Sequence, residues 1–112
     1  MLSDRESLTP LEACIVNRLA ERNPSLRPAL PGLLVLRRDY TGAGSYTYFM
    51  ERPGEVARDQ VVLDGYLEVA GLQHGLGAAM FLSAGKPWFL EIFTFGSISW
   101  DGTADVFVFN AG

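Results

Sequence analysis

The sequence predicts an α+β protein in which one N-terminal helix packs on a curved antiparallel sheet of five to six strands. Two observations carry this prediction. Apolar residues recur at helical spacing between positions 11 and 19, and short β-rich runs separated by glycine-rich turns follow from position 33. The chain has 112 residues, of which 48% are apolar and 20% charged, as is typical of a globular protein. We therefore expect residues 1–112 to form a single domain.

The predicted helix begins after Thr9. Thr9 and Glu12 have the spacing of a capping box, in which each side chain accepts a hydrogen bond from the other residue's backbone N–H. Pro10 takes the first helical position, where its missing N–H removes no hydrogen bond. Asn23 and Pro24 are predicted to end the helix.

The same helix is predicted to bury one apolar stripe, formed by Leu11, Cys14, Ile15 and Leu19. Its wetter sides are expected to carry Glu12, Arg18, Glu21 and Arg22. Cys14 lies on the stripe and no neighbour marks its thiol as activated, so we interpret it as a small core residue. Because it is the single cysteine, no internal disulfide can form.

A hairpin is predicted after a stiff, proline-rich connector at 24–32, which has room for one helical turn. The runs 33–40 and 45–51 are its strands, and Gly42 and Gly44 are expected to supply positive φ in its turn. Alternation along the second strand predicts two faces, with Tyr46, Tyr48 and Met50 on one and Thr47 and Phe49 on the other.

The rest of the chain predicts an antiparallel meander with short turns. A turn at 52–55 precedes residues 56–63, which are either a strand or an extended loop. Further strands are predicted at 66–72, 76–83, 88–95 and 103–109. They are separated by a tight connection at 73–75, a turn at 84–87 and a loop at 96–102.

Two of these runs, 88–93 and 106–109, are apolar on both faces. Such a pattern predicts central strands that are covered on both sides. One helix covers one face, so the second face needs another cover. The sheet curling over its own core, the loop 96–102 and a second chain, for example in a homodimer, all remain open.

Charge is unevenly distributed along the sequence. The net charge is -4, and the half from 57 to 112 carries all of it. An acidic half disfavours nucleic acid, whose binding relies on Lys and Arg, and suits a basic protein partner. We find no apolar run long enough to span a membrane and no secretory signal, so we expect no membrane association and a cytoplasmic protein.

Catalytic and cofactor motifs are missing from the sequence. His74 is the single histidine, so neither a metal pair nor a histidine relay can form, and no G-x-S-x-G elbow supports a triad. The run 41–45 (TGAGS) is glycine-rich but opens a strand, whereas a phosphate cradle opens a helix. We therefore expect no metal, no cofactor and no enzymatic activity.

Glu91 is the carboxylate of greatest interest, because it shares a strand face with Phe89, Phe93 and Phe95. A carboxylate in such surroundings is paired or has a raised pKa. Either it forms a structural ion pair, or it binds a ligand or transfers a proton, or it lies at a solvated edge. Arg37 or Arg38 is the predicted partner of the ion pair.

Three segments together carry a family resemblance: 37–49 (RRDYTGAGSYTYF), 69–77 (VAGLQHGLG) and 85–95 (GKPWFLEIFTF). They resemble a group of uncharacterised small bacterial proteins with a basic-aromatic-T-G-x-G-x-x-T hairpin and a later leucine-glutamate strand followed by an aromatic residue. The resemblance covers about residues 30–100 and implies a bacterial source but no activity. This chain departs from the pattern at Ala43, Ser45 and Ile92.

The function predicted from these observations is a non-enzymatic protein-interaction module of the immunity or regulatory type. The alternatives are a small-molecule binding domain with a pocket between sheet and helix, and, less favoured, an enzyme using Glu91 and tyrosines. The residues predicted to contact a ligand or partner are Arg37, Arg38, Tyr46, Tyr48, His74, Glu91 and Trp100.

Overall fold

A computed structural model describes residues 6–51, 58–96, 98–102, 104 and 106–111. The described part contains helix α1 (Pro10–Arg22), a 3₁₀ helix (Pro24–Ala29) and strands β1 (Arg37–Tyr40), β2 (Gly44–Tyr48), β3 (Arg58–Val62), β4 (Tyr66–Val69), β5 (Leu72–Ser83), β6 (Lys86–Thr94) and β7 (Phe107–Asn110). The α+β class is confirmed. The predicted turn at 52–55 lies outside the described residues.

The strands of the described residues belong to one antiparallel sheet, which has seven strands and does not close. Its order is β1-β2-β6-β5-β4-β7, and β3 pairs with β5. The prediction of five to six strands was therefore too low. The reason is the length of β5, whose 12 residues pair with β4 near one end and with β3 near the other. Residues 58–62, which the sequence left ambiguous, are thus a strand.

Helix α1 has the predicted boundaries and caps. The Thr9 N–H donates to Glu12 Oε1 (2.8 Å) and the Glu12 N–H donates to Thr9 Oγ1 (3.2 Å), which completes the capping box. At the other end the Asn23 N–H donates to the Leu19 carbonyl (2.9 Å). The sequence predicted a solvent-facing position for Glu12. This prediction is wrong, because Glu12 is only 3% exposed.

The predicted β1–β2 hairpin is confirmed, and Arg37 lies opposite Tyr48 in its register. The predicted meander is correct for β4, β5 and β6, which pair in sequence order, but it fails at β7, which lies beside β4, while β2 takes the place beside β6. Both of these pairings join segments far apart in the sequence, and turn signals cannot specify them. The turn between β4 and β5 is at Ala70 and Gly71 rather than at 73–75.

The hydrophobic core lies between the helices and one face of the sheet. It includes Leu11, Ile15, Leu19, Leu26, Leu67, Leu76, Met80, Leu90, Ile92 and Trp100. Strand β6 is central, as predicted, but β7 is an edge strand that pairs with β4. The prediction of a covered central strand at 106–109 is therefore wrong, and Val108 is 58% exposed. No helix in the described part is long and apolar enough to span a membrane.

Candidate functional site

The face of the sheet opposite the helices carries a row of aromatic rings. Along β2, Thr47 points to the helix side and is fully buried, so Tyr46 and Tyr48 point to the opposite side, as the sequence predicts. The register places Tyr48 opposite Phe89, and Phe89 opposite Phe81. None of these rings belongs to the core. We call this surface the aromatic face; it is formed by Tyr46, Tyr48, Phe81, Phe89, Glu91 and Phe93.

Contacts between neighbouring rings run across three strands. The Phe81 and Phe89 rings stack, with centroids 4.5 Å apart and an interplanar angle of 15°. The Phe89 ring then contacts Tyr48 (5.4 Å) and Tyr46 (5.9 Å). These separations are those of favourable aromatic pairs. The rings are half-buried by one another, and no helix of the described part packs over them.

Three charged groups accompany the rings, namely Arg37, Asp39 and Glu91. The Arg37 guanidinium lies 4.1 Å from the centroid of the Tyr48 ring, and its Nε is 3.3 Å from Asp39 Oδ2. Glu91 lies opposite Tyr46, and its negative charge is the largest cause of the raised pKa of that phenol. Among the described residues, no Lys or Arg pairs with Glu91.

The predicted ion pair between Glu91 and Arg37 or Arg38 is therefore not formed. Arg38 lies opposite Thr47 and shares its side of the sheet, which is the helix side. There its Nη2 is 2.7 Å from Glu12 Oε1 and its Nε is 2.9 Å from Glu12 Oε2. Arg37 shares the face of Glu91 but pairs with Asp39. Alternation along β1 sends the two arginines to opposite faces.

A cavity of about 250 Å³ lies where the first turn of α1 meets the sheet. It is lined by Glu12 and Arg38 and is slightly smaller than typical ligand pockets of ~300–1,000 Å³. Both carboxylate oxygens of Glu12 already accept hydrogen bonds, from Arg38, the Thr9 N–H and the Thr47 hydroxyl (2.7 Å). Arg38 also donates to Glu6 (2.6 Å). These groups clamp the helix to the sheet.

The remaining predicted contact residues lie apart from the aromatic face. His74 is exposed on β5, beside a shallow depression of about 570 Å³ that Tyr66 and Val108 also line. Trp100 belongs to the core, and its backbone N–H donates to the Gly42 carbonyl (2.8 Å). The structure thus brings together four of the seven predicted contact residues, namely Arg37, Tyr46, Tyr48 and Glu91.

Four residues that matter to these sites were not among the seven predicted contact residues: Glu12, Phe81, Phe89 and Phe93. The sequence did place Phe89 and Phe93 on the strand face of Glu91. Phe81 joins the aromatic face because the pairing of β5 with β6 places it opposite Phe89. Glu12 anchors the helix to the sheet. The capping box singled out Glu12 in the sequence, but it predicted a role at the start of the helix and no contact with the sheet.

Comparisons with protein-family models, with curated proteins and with solved structures found no match to this chain. The resemblance of the hairpin and the leucine-glutamate strand to small bacterial proteins stays a prediction. In the part of the chain that the structure describes, no group of three or more His, Cys, Asp or Glu side chains is arranged to hold a metal ion.

Proposed function

We propose that the protein is a non-enzymatic interaction module, of the immunity or regulatory type, that binds a basic protein through the aromatic face. The observation that carries this proposal is a row of contacting rings on a sheet face that the described helices leave open. Contiguous exposed apolar surface is typical of protein-binding sites. Aromatic residues are also enriched among those that dominate binding energy.

Charge supports a basic partner over a second copy of this chain. The protein carries a net charge of -4. On the open side of the sheet, neither Glu91 nor Glu68 is paired with a cation among the described residues. Two copies docked face to face would bring these like charges together, whereas a basic partner would neutralise them.

The test is a comparison of two variants against a purified partner. The immobilised protein captures candidates at low salt, and the main basic candidate is then purified and its affinity measured by calorimetry. Phe89→Ser should weaken binding by about tenfold or more, because it removes the ring that contacts four others.

Leu34→Ser is the matched control, because Leu34 is an exposed apolar residue outside the sheet. It should leave the affinity unchanged. Equal binding by wild type and Phe89→Ser, or capture of no basic protein at all, would overturn the proposal. If the protein proves to be a dimer in solution that forms through this face, the occupant of the face is a second copy of the chain and the proposal of a basic partner is wrong.

A small-molecule site is the second candidate, and the cavity between α1 and the sheet favours it. Its polar groups are already bonded to one another, so a ligand would have to compete with them. Ala104 lines this cavity. If a compound raises the melting temperature by binding there, Ala104→Leu should abolish that rise and leave binding of a protein partner intact.

A further inference from the structure

We propose that the aromatic face binds a cationic side chain of the partner, Arg or Lys, with Glu91 as its counter-ion and the rings of Tyr46 and Phe89 as its walls. This inference rests on the proposed function, and it specifies which chemical group of the basic partner the face recognises.

Rings surround the Glu91 carboxylate on its own side of the sheet. Tyr46 lies opposite it on β2, and Phe89 and Phe93 lie two residues away on β6, on the same face. The Glu91 carboxylate is half-buried and interacts with the Tyr46 phenol, but no described cation neutralises its charge. An incoming ammonium or guanidinium group would do so.

The molecule already contains an internal example of this arrangement. Arg37 places its guanidinium 4.1 Å from the Tyr48 centroid, and Asp39 balances its charge. The neighbouring ring, Tyr46, also has a carboxylate beside it, that of Glu91. No described residue places a cation there. The rings carry electron-rich faces that attract cations.

Charge and shape together therefore favour a cation over a neutral apolar group. A leucine or phenylalanine inserted beside Glu91 would desolvate the carboxylate further without pairing it. A guanidinium can lie on a ring and bond to a carboxylate at the same time. The depression of about 530 Å³ next to Phe81 and Phe89 has room for neighbouring residues of the same peptide.

The experiment titrates the purified full chain with a short oligo-arginine peptide, and with an oligo-citrulline peptide of the same length as an uncharged control. Calorimetry gives the affinity, and proton NMR of the Tyr46 and Phe89 rings gives the place of binding. Wild type should bind oligo-arginine and not oligo-citrulline, with shifts in both ring signals.

Two charge-matched variants locate the counter-ion. Glu91→Gln should weaken oligo-arginine binding by about fivefold or more, since it removes a pairing charge beside the rings. Glu68→Gln removes the same charge from an exposed position on β4 and should weaken it by less than about twofold. Glu91→Asp keeps the negative charge but moves it away from the rings, because the side chain is one methylene shorter. It serves as a second variant if the Gln variant does not fold.

Equal weakening by the two Gln variants would indicate general charge attraction and overturn the inference, as would unmoved ring signals. Failures of the two proposals are distinguishable. If Phe89→Ser loses the basic partner and Glu91→Gln does not, the interaction function stands and the cation site is wrong. If neither variant changes partner binding, both are wrong.

Discussion

At the scale of single residues, Glu12 has two structural roles. Its carboxylate closes the capping box with Thr9 and also accepts hydrogen bonds from Arg38 on β1 and Thr47 on β2. One side chain therefore both starts the helix and fixes it to the edge hairpin of the sheet. Because its side chain is almost fully buried, its energetic weight exceeds that of a surface pair.

Glu12→Ala should lower the free energy of unfolding by about 3 kcal/mol, because it leaves the guanidinium of Arg38 without its buried partner. Arg38 keeps its ion pair with Glu6 in this variant, so the loss of unfolding free energy should lie at the low end of the values typical of a broken buried ion pair. Urea unfolding measures the change. The control is Glu21→Ala, an exposed acid on the same helix, which should cost less than about 0.5 kcal/mol. Equal losses in the two variants would contradict this prediction.

The same carboxylate should make stability depend on acid. Burial alone raises the pKa of Glu12, but hydrogen bonds from Arg38, Thr47 and Thr9 and the charge of Arg38 together lower it below the usual 4.5. A lowered folded pKa means that ionised Glu12 stabilises the fold above about pH 4.5. This contribution is lost as the pH falls through the folded pKa.

The difference in unfolding free energy between wild type and Glu12→Gln should therefore be constant near neutral pH and shrink on acidification below pH 4.5. Urea unfolding at a series of pH values measures it. Asp64, whose pKa is also lowered, is present in both proteins and cancels in the comparison. If this difference in unfolding free energy instead increases below pH 4.5, the predicted lowering of the Glu12 pKa is wrong.

At the scale of elements, Gly44 decides how β2 meets β6. Gly42 has the expected positive φ of 89°, but Gly44 does not. A Cβ on Gly44 would instead collide with the backbone oxygen of Ile92 on β6. Glycine is therefore needed there for a close approach of two strands, in addition to any role in the turn.

Gly44→Ala should accordingly destabilise the protein by about 2 kcal/mol, because backbone atoms of two paired strands have to separate. Gly32→Ala is the matched control, since its Cβ meets nothing within 4 Å. That change should stay within about 0.5 kcal/mol of wild type. Chemical denaturation compares the two, and hydrogen exchange in β2 and β6 should rise in the Gly44 variant alone.

Strands β6 and β7 also show what an apolar pattern leaves undecided. Both runs are apolar on the two faces, yet β6 lies between β2 and β5 whereas β7 pairs with β4. In β7, Phe107 and Phe109 pack against the core and Val108 faces solvent. The pattern measures how many apolar side chains a strand carries, not how many neighbours cover it.

At the scale of the whole molecule, an acidic protein presents an aromatic face that the described helices leave uncovered. The sequence isoelectric point is about 4.8, so mutual repulsion between copies is present at pH 7 and vanishes near pH 4.8. We expect a monomer at pH 7 and self-association near pH 4.8, as measured by light scattering. Phe89→Ser should reduce this association, and Leu34→Ser should not. Circular dichroism checks that the fold is intact at the lower pH.

The sequence by itself determined the class of fold, the boundaries and caps of α1, the β1–β2 hairpin and the two faces of β2. These features depend on periodicity, on capping side chains and on turn residues, all of which act within a few positions. The aromatic face was half predicted in the same way, because alternation alone groups Tyr46 with Tyr48 and Glu91 with Phe89.

Only the tertiary structure decided which strands are neighbours and which charges meet. The placement of β2 beside β6, of β7 beside β4 and of β3 beside β5, and the pairing of Arg38 with Glu12 rather than Glu91, all join parts of the sequence that are not neighbours. Local patterns cannot specify such pairs, because many arrangements satisfy the same alternation. In the arrangement that forms, Gly44 allows β2 to approach β6 closely, and the buried carboxylate of Glu12 pairs with Arg38.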